Sequence, residues 1–244
     1  AGSFSIAGST IVSNGGYDFF VMRISTTGSV ESIFSFGGTG DDWANAITGT
    51  LDGNLTIVGK FSGTWTAGDF TVASATGTDS DIFVLQITPQ GEVVWLLSVG
   101  GTGDDVANDI GVLSTGEMVV AGSFQQYIDF GPLGTIYSNG QDDMLILWIH
   151  PIGVVMSYKN YGSTQLDTAT GVAVSQNLGQ IGVCGVFNGY IVVEGDGDNS
   201  DGSDMMIILY WNNGTFIDKA SFNSGPDDGL QDVLVDTAGN FYVV

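Results

Sequence analysis

GGTGDD fills residues 37–42 and recurs at residues 100–105, and the regular return of this turn decides the fold. Looser copies follow as YGSTQLD at 161–167 and NSGPDD at 223–228. The last Asp of the four copies falls at positions 42, 105, 167 and 228, so successive copies stand 63, 62 and 61 residues apart. A fixed period of this length predicts an array of repeated structural units.

The residues between the turns carry a strand pattern in every copy. Apolar runs that open with Asp recur as DFFVMRI, DIFVLQI, DMLILWI and DMMIILY, beginning at 18, 81, 143 and 204. Short runs of β-branched and aromatic residues bounded by glycine turns are typical of strands. In the second unit we predict strands at 107–113, 117–124, 144–150 and 154–160, with small hairpins in the long connections. No stretch shows the sustained 3.6-residue period of a helix.

The repeated unit and the two ends of the chain together predict the architecture. Four antiparallel strands repeated radially are the blades of a β-propeller, so we predict an all-β single domain over 1–244 with four four-stranded blades. The tail FYVV (241–244) joined to the head AGSF (1–4) reproduces MVVAGSF (118–124). We expect the N- and C-terminal segments to share the closing blade, or to continue into neighbouring subunits and so build a filament.

The composition limits the partners of this chain. Four Lys and Arg residues stand against 27 Asp and Glu, for a net charge of −23. So few cations cannot neutralise a nucleic-acid backbone or an anionic lipid surface. No apolar run reaches membrane-spanning length, so we expect no membrane insertion. The single cysteine, Cys184, excludes an internal disulfide.

The units resemble the bacterial β-propeller repeat family called SBBP. The resemblance rests on GGTGDDVANDIGVLSTGEMVVAGSF (100–124) and DIFVLQITPQGEVVWLLSVGG (81–101) and extends over nearly the whole chain. It implies a propeller fold and a secreted or surface protein in which the repeats serve as structural or adhesive modules. The near absence of Lys and Arg departs from the family pattern.

One acidic segment is the best metal candidate. EGDGDNSDGSD (194–204) alternates acids as a Ca²⁺ loop does, which points to Asp196, Asp198 and Asp201 as ligands. The EF-hand spacing is absent, because Asp201 stands where that loop requires Gly. The alternative is a solvated acidic loop. The Asp pairs of the repeated turns also offer carboxylates, although turn aspartates ordinarily accept hydrogen bonds from backbone amides. No other cofactor is expected.

Catalytic groups are scarce. The only histidine, His150, precedes Pro151 at a hairpin turn, where we expect it to be exposed. Cys184 lies in an apolar strand pattern and is expected to be a small core residue. The motifs of a nucleophile elbow and of a phosphate loop are both absent. A carboxylate pair of the glycosidase type stays open, but nothing in the sequence marks one, so we predict that the chain is not an enzyme.

Aromatic residues and sequons offer two further candidate sites. Trp65, Tyr127 and Tyr190 fall at similar places in the long connections and either stack on sugars or close a small satellite core. Asn54 and Asn213 stand in Asn-X-Thr triplets at predicted hairpin turns, so they are the glycosylation candidates.

These observations favour a non-catalytic, extracellular or cell-surface structural or adhesion module, with a filament-forming subunit as one form of it. The expected partners are further copies of the chain, other surface proteins or glycans. The alternative is a lectin-like propeller whose binding depends on carbohydrate or Ca²⁺.

Overall fold

The structure is a computed structural model that describes residues 2–6, 8–223 and 228–244. The head residue Ala1 and the predicted turn residue Asp227 lie outside this described part. Within it the fold is all-β and antiparallel, as the sequence predicts, with one 3-10 turn at Gly131–Leu133 and no α-helix. No helix in the described ranges has the length and apolar character needed to cross a bilayer.

The N-terminal region forms two hairpins and then the first four-stranded sheet. The strands are β1 (Ser3–Ile6), β2 (Ser9–Val12), β3 (Phe19–Ile24), β4 (Val30–Phe36), β5 (Asp42–Gly49), β6 (Leu55–Phe61), β7 (Thr64–Ala67), β8 (Phe70–Ala73), β9 (Asp81–Ile87) and β10 (Val93–Val99). β1 pairs with β2, β3 with β4 and β7 with β8, while the first sheet has the order β5-β6-β9-β10. The small β1–β2 and β7–β8 hairpins are those expected in the long connections.

Two further sheets and one hairpin complete the chain. The strands are β11 (Gly101–Thr102), β12 (Val106–Val112), β13 (Met118–Asp129), β14 (Thr135–His150), β15 (Val154–Tyr161), β16 (Thr168–Ser175), β17 (Gln180–Val193), β18 (Asp196–Trp211), β19 (Phe216–Phe222), β20 (Val233–Val235) and β21 (Phe241–Val243). The second sheet contains β12-β13-β14-β15 with β11 beside β13, and the third has the order β16-β17-β18-β19. β14 begins earlier than predicted, because the connection extends the β13–β14 ladder past a bulge between Gln125 and Tyr127.

In the described part of the chain, successive sheets pack against one another around four apolar cores, which we call the first to fourth junctions. The first lies between the β3–β4 hairpin and the first sheet, and the second between the first and second sheets. The third lies between the second and third sheets, and the fourth between the third sheet and the β20–β21 hairpin. Strands such as β9, buried on both faces, read as continuous apolar runs for this reason.

Hydrogen bonds between the sheets repeat with the period of the sequence. Asn45 Nδ2 donates to the carbonyl of Ala107, and Asn108 Nδ2 donates to that of Ala169, both at 2.9 Å. The Thr170 hydroxyl makes the corresponding bond to the Leu230 carbonyl at 2.7 Å. A side chain at the same repeat position thus joins each first strand to the next unit. It bonds to the first strand of that unit in two cases and to a residue just before β20 in the third.

The terminal segments do not form the shared unit that the sequence predicts. In the described residues β21 pairs only with β20, and β1 pairs only with β2. The β20–β21 hairpin corresponds to the first two strands of a unit and β3–β4 to the last two. Within each half unit the two strands pair with each other. In a complete unit the other edge of β21 would pair with the other edge of β3, but in this part of the chain neither edge pairs with any strand.

Candidate functional site

Each repeated turn places one aspartate beside another across a backbone hydrogen bond. The amide of Asp105 donates to the carbonyl of Ser80 at 2.7 Å, which sets Asp105 next to Asp81, the residue that opens β9. The same bond joins 42 to 17, 167 to 142 and 228 to 203. The two acids of a pair stand too far apart in the sequence to be recognised as neighbours by proximity. The signal that reveals the pairs is the constant spacing of 24 residues, from 18 to 42, 81 to 105, 143 to 167 and 204 to 228.

In the first three pairs the second aspartate closes its turn, as expected for turn aspartates. Asp42 Oδ2 accepts a hydrogen bond from the Gly38 amide at 2.7 Å. Asp105 accepts from the Gly101 amide at 2.9 Å through the corresponding oxygen. Asp167 accepts from the amide of Ser163, four residues earlier, in the same way. The recurrence of Asp in the turns therefore has a structural cause.

In the last three pairs the first aspartate is buried with an unsatisfied oxygen. Oδ1 of Asp81, Asp143 and Asp204 has no hydrogen-bond partner in the described residues, although these side chains are almost fully buried. A Cβ on Gly100 would overlap the Asp81 carboxyl group, and one on Gly162 would overlap that of Asp143. The paired glycine of the turn is therefore required by the close approach of the carboxyl group.

Burial makes these acids proton binders near neutral pH. It raises the pKa of Asp105 to about 8, although the Gly101 and Gln125 amides oppose the shift. It raises the pKa of Asp42, Asp81 and Asp143 to about 6. Repulsion from the other acid of the pair adds to the effect for Asp42, Asp105 and Asp143.

Asp196, Asp198 and Asp201, the predicted metal ligands, lie along β18. The Lys219 ammonium forms ion pairs with Asp196 at 3.3 Å and, more closely, with Asp198. Asp201 Oδ1 accepts a hydrogen bond from the side-chain amide of Asn223 at 2.8 Å. The cation beside the first two acids is therefore a lysine of the neighbouring strand, and a Ca²⁺ site here stays a prediction. Across the described ranges, no cluster of three or more His, Cys, Asp or Glu side chains is arranged around a common metal position.

Clefts of similar construction lie at three of the junctions. They have volumes of about 510, 650 and 520 Å³, and they are lined by Gly37, Gly100 and Gly162, respectively, at the start of each turn. The hairpin of the next unit forms the opposite wall, through Trp65, Ile128 and Tyr190, respectively. The sequence shows that the residues of this wall recur with the repeat. It does not predict the clefts, because they depend on how the sheets pack.

The three aromatic candidates have different environments. Trp65 is 1% exposed and packs edge-on against Phe19 and Phe83, with ring centroids at 5.7 and 5.1 Å, so the satellite-core interpretation is confirmed for it. Tyr127 is 39% exposed and Tyr190 58% exposed. Only the first of the three is therefore a core residue.

The remaining candidates lie apart from one another. His150 is exposed, as predicted, and its Nδ1 accepts a hydrogen bond from the Ile152 amide at 3.3 Å. Cys184 is buried in the fourth junction, and burial raises the pKa of its thiol.

The two glycosylation candidates, Asn54 and Asn213, both occupy hairpin turns. Asn54 Nδ2 donates a hydrogen bond to Asp52 at 2.8 Å, and Asn213 Oδ1 accepts one from the Thr215 amide at 3.0 Å. Glycosylation of the two asparagines stays a prediction.

Solved structures include a distant likeness to this chain. No protein-family model matches the chain, and no curated protein matches it. A crystal structure of a protein of unknown function from Bacteroides caccae matches with a TM-score of 0.49 and 15% identity over 95% of this chain. The chain spans 63% of the length of that protein.

Proposed function

We propose that residues 1–244 form a single, non-catalytic β-propeller-type module of an extracellular or cell-surface structure, and that it assembles with further copies of itself. The observation that carries the proposal is the pair of half units. In each complete unit the second strand pairs with the third, as Leu55 with Ile87 and Ile57 with Leu85. The β21 and β3 edges are the corresponding second and third strands.

The repeat register assigns the contacts of the joined unit. In the proposed joined unit, alignment with β6 and β9 sets Phe241 opposite Ile24 and Val243 opposite Met22. A new ladder between these strands satisfies backbone groups on both edges, as in other cases of strand addition. Contact of this head-to-tail kind gives a filament when the rotation between copies does not close.

Apolar surface at the two ends supports the same contact. A cleft of about 280 Å³ between β3 and β5 is lined by Met22, Ala46 and Ile47. At the other end, Leu234 is 67% and Tyr242 57% exposed. Covering these side chains removes apolar area from water, which is the main favourable contribution to association.

Net charge sets the conditions for assembly. At −23 per chain, copies repel one another at low ionic strength. Strand pairing and apolar burial must exceed this repulsion, and salt or Ca²⁺ weakens it. We therefore expect assembly to increase with ionic strength and with millimolar Ca²⁺.

The surface location and the absence of catalysis rest on composition and on the SBBP resemblance. Small neutral residues make up much of the sequence. The one histidine is exposed at a turn and the one cysteine is buried in a core, so the two do not belong to a common catalytic site. Structural or adhesive use requires only a stable unit with self-complementary ends.

Light scattering and negative-stain imaging of the purified chain, with and without millimolar Ca²⁺, test the proposal. We expect linear chains of linked particles, and Tyr242→Asp at the β21 end should shift these assemblies to monomers. Tyr137→Asp is the matched control, because Tyr137 is also exposed but lies in β14, away from both half units. A compact monomer at high concentration under both conditions would exclude assembly and place the two half units in one closed ring.

A further inference from the structure

The cleft at the third junction differs from its two counterparts in carrying an open aromatic face. Its volume is about 520 Å³, within the usual range for small-ligand sites of about 300–1,000 Å³. We call it the Tyr190 cleft and define it by Asn139, Asn160, Thr164, Tyr190 and Val192. It uses none of the residues assigned above to assembly.

The ring of Tyr190 is held in place from one side. A Cβ on Gly197 would overlap Oη and Cζ of Tyr190, so the ring lies directly over the backbone of that glycine. The register supports this arrangement, because Val192 faces Gly197 across the β17–β18 ladder and Tyr190 lies diagonally beside it. Since Tyr190 is nevertheless 58% exposed, its other face is open to a ligand.

Polar groups with unused hydrogen-bonding capacity surround this ring. The side chains of Asn160 and Thr164 make no hydrogen bond to the described part of the chain. Asn139 Nδ2 donates to Asp143 Oδ2 and to the Gly162 carbonyl, both at 3.2 Å, which leaves its Oδ1 as an acceptor. Amides and hydroxyls offer both donors and acceptors, which suits the hydroxyl groups of a sugar.

The charges near the cleft exclude an anionic ligand. Lys159, the nearest cation in sequence, is held by Glu194 at 2.5 Å, and the Tyr161 hydroxyl donates to the same carboxylate at 2.7 Å. The lining itself carries no charged side chain. With a net charge of −23 on the chain, a neutral ligand meets no repulsion and an anion does.

The other two clefts lack this combination. At the first junction the corresponding aromatic residue, Trp65, is buried, and the acidic Glu92 joins the lining. At the second, Ile128 and Phe130 line the wall, and Phe130 stacks on Tyr158 with ring centroids 4.5 Å apart. Of these three clefts, the third alone joins an open tyrosine face to unengaged amides.

We propose that the Tyr190 cleft binds a neutral hexopyranose, as a monosaccharide or as the end of a short oligosaccharide. The apolar face of the sugar stacks on the Tyr190 ring, and its hydroxyls bond to Asn139, Asn160 and Thr164. Aromatic stacking on one open ring supports weak, millimolar-range affinity rather than tight binding.

Titration by NMR and calorimetry with glucose, galactose, mannose and their disaccharides, and with glucuronate as the anionic control, tests this site. We expect at least one neutral sugar to bind and glucuronate not to bind. Tyr190→Ala should weaken binding roughly tenfold, a change of about 1.4 kcal/mol. Asn160→Ala should weaken it to a smaller degree, whereas Tyr137→Ala should leave it unchanged.

Three results would overturn the proposal: no response to any neutral sugar, equal binding of glucuronate, or unchanged affinity in Tyr190→Ala. Thermal unfolding of each variant verifies that it is folded. Tyr190→Phe keeps the ring and removes only the hydroxyl, so it should retain most of the affinity. If both variants of this position lost binding equally, the open ring face would not be the platform.

Discussion

Two equivalent positions in the repeat, Ile47 and Ile110, have very different surroundings. Each is two residues after the asparagine that bonds to the next sheet, yet Ile47 is 52% exposed and Ile110 6% exposed. Ile110 lies in the core between the first and second sheets. Ile47 faces the β3–β4 half unit, which has only the last two strands of a unit and therefore leaves Ile47 partly uncovered. The comparison teaches that burial here depends on the neighbouring sheet and not on the residue type.

The largest difference is expected from truncation of these two isoleucines. Ile110→Ala should lower the free energy of unfolding by about 2–5 kcal/mol, because it removes buried methyl groups and leaves a cavity. Ile47→Ala should change it by roughly 0.5 kcal/mol or less in the isolated chain. Urea unfolding measures both. Equal losses of unfolding free energy in the monomer would mean that another part of the chain already covers Ile47 on β5. That result would contradict the exposure of this face of the first sheet.

The asparagines that join the sheets sharpen the comparison. Asn108→Ala should cost about 1–3 kcal/mol, because the Ala169 carbonyl that it satisfies is left without a partner in a half-buried site. Asn45→Ala should cost less, since Asn45 is exposed and water can replace its bond to the Ala107 carbonyl. The same denaturant measurement checks both. A larger loss of unfolding free energy for Asn45→Ala than for Asn108→Ala would contradict the interpretation that Asn108 lies in the interior and Asn45 near the exposed end.

The paired aspartates extend the comparison to pH. Burial raises the pKa of Asp105 to about 8 and that of Asp42 to about 6, whereas both are near 3.8 in the unfolded chain. The folded state therefore binds these protons more tightly, so the free energy of unfolding should rise as the pH falls from 8 towards 4. Below this window, acids with a lowered pKa such as Asp104 reverse the trend.

Two variants separate the contributions of the two junctions. Asp105→Asn should flatten the pH dependence between 6 and 8, and Asp42→Asn should flatten it only below about 6. Thermal unfolding at several pH values provides the readout. Stability that increases steadily from pH 5 to pH 8 would show that the buried pairs do not control the titration.

A modest effect is expected at Lys219, which pairs with two acids of β18 and so contrasts that acidic segment with the aspartate pairs of the junctions. Lys219→Ala should cost on the order of 1 kcal/mol, because the exposed Asp196 contributes little to the ion pair. It also frees two carboxylates, so Ca²⁺ should bind this variant more tightly than the parent chain. Calorimetric Ca²⁺ titration of both forms checks this, with Lys60→Ala as the control. Ca²⁺ binding that was weaker in the variant would oppose a cation site at Asp196 and Asp198.

The sequence predicted the strands well because their signals are local. Glycine turns, Asp-led apolar runs and the period of 61–63 residues each depend on neighbouring residues, and they located the four strands of the second unit. The early start of β14 escaped prediction, because polar residues such as Ser138 and Asn139 carry no strand signal. They are strand because the β13–β14 ladder continues beyond its bulge.

The candidate site depended on long-range contacts that one sequence does not display. Nothing near Asp198 announced Lys219, since Lys219 lies 21 residues later in the sequence, on β19. The open face of Tyr190 and the burial of Trp65 likewise follow from packing, although both stand at the same repeat position. The 24-residue spacing of the paired aspartates was visible in the sequence, but its meaning required the fold.

The side-chain bonds from Asn45, Asn108 and Thr170 reach only the next sheet, and each core is shared by only two neighbours. A chain built in this way behaves as a nearest-neighbour series, in which unfolding starts at an end and proceeds sheet by sheet. Amide hydrogen exchange should therefore be slowest in β13 and β14 and should accelerate towards both hairpins. The hairpins that are suited to recognising another copy are also the parts that exchange most readily.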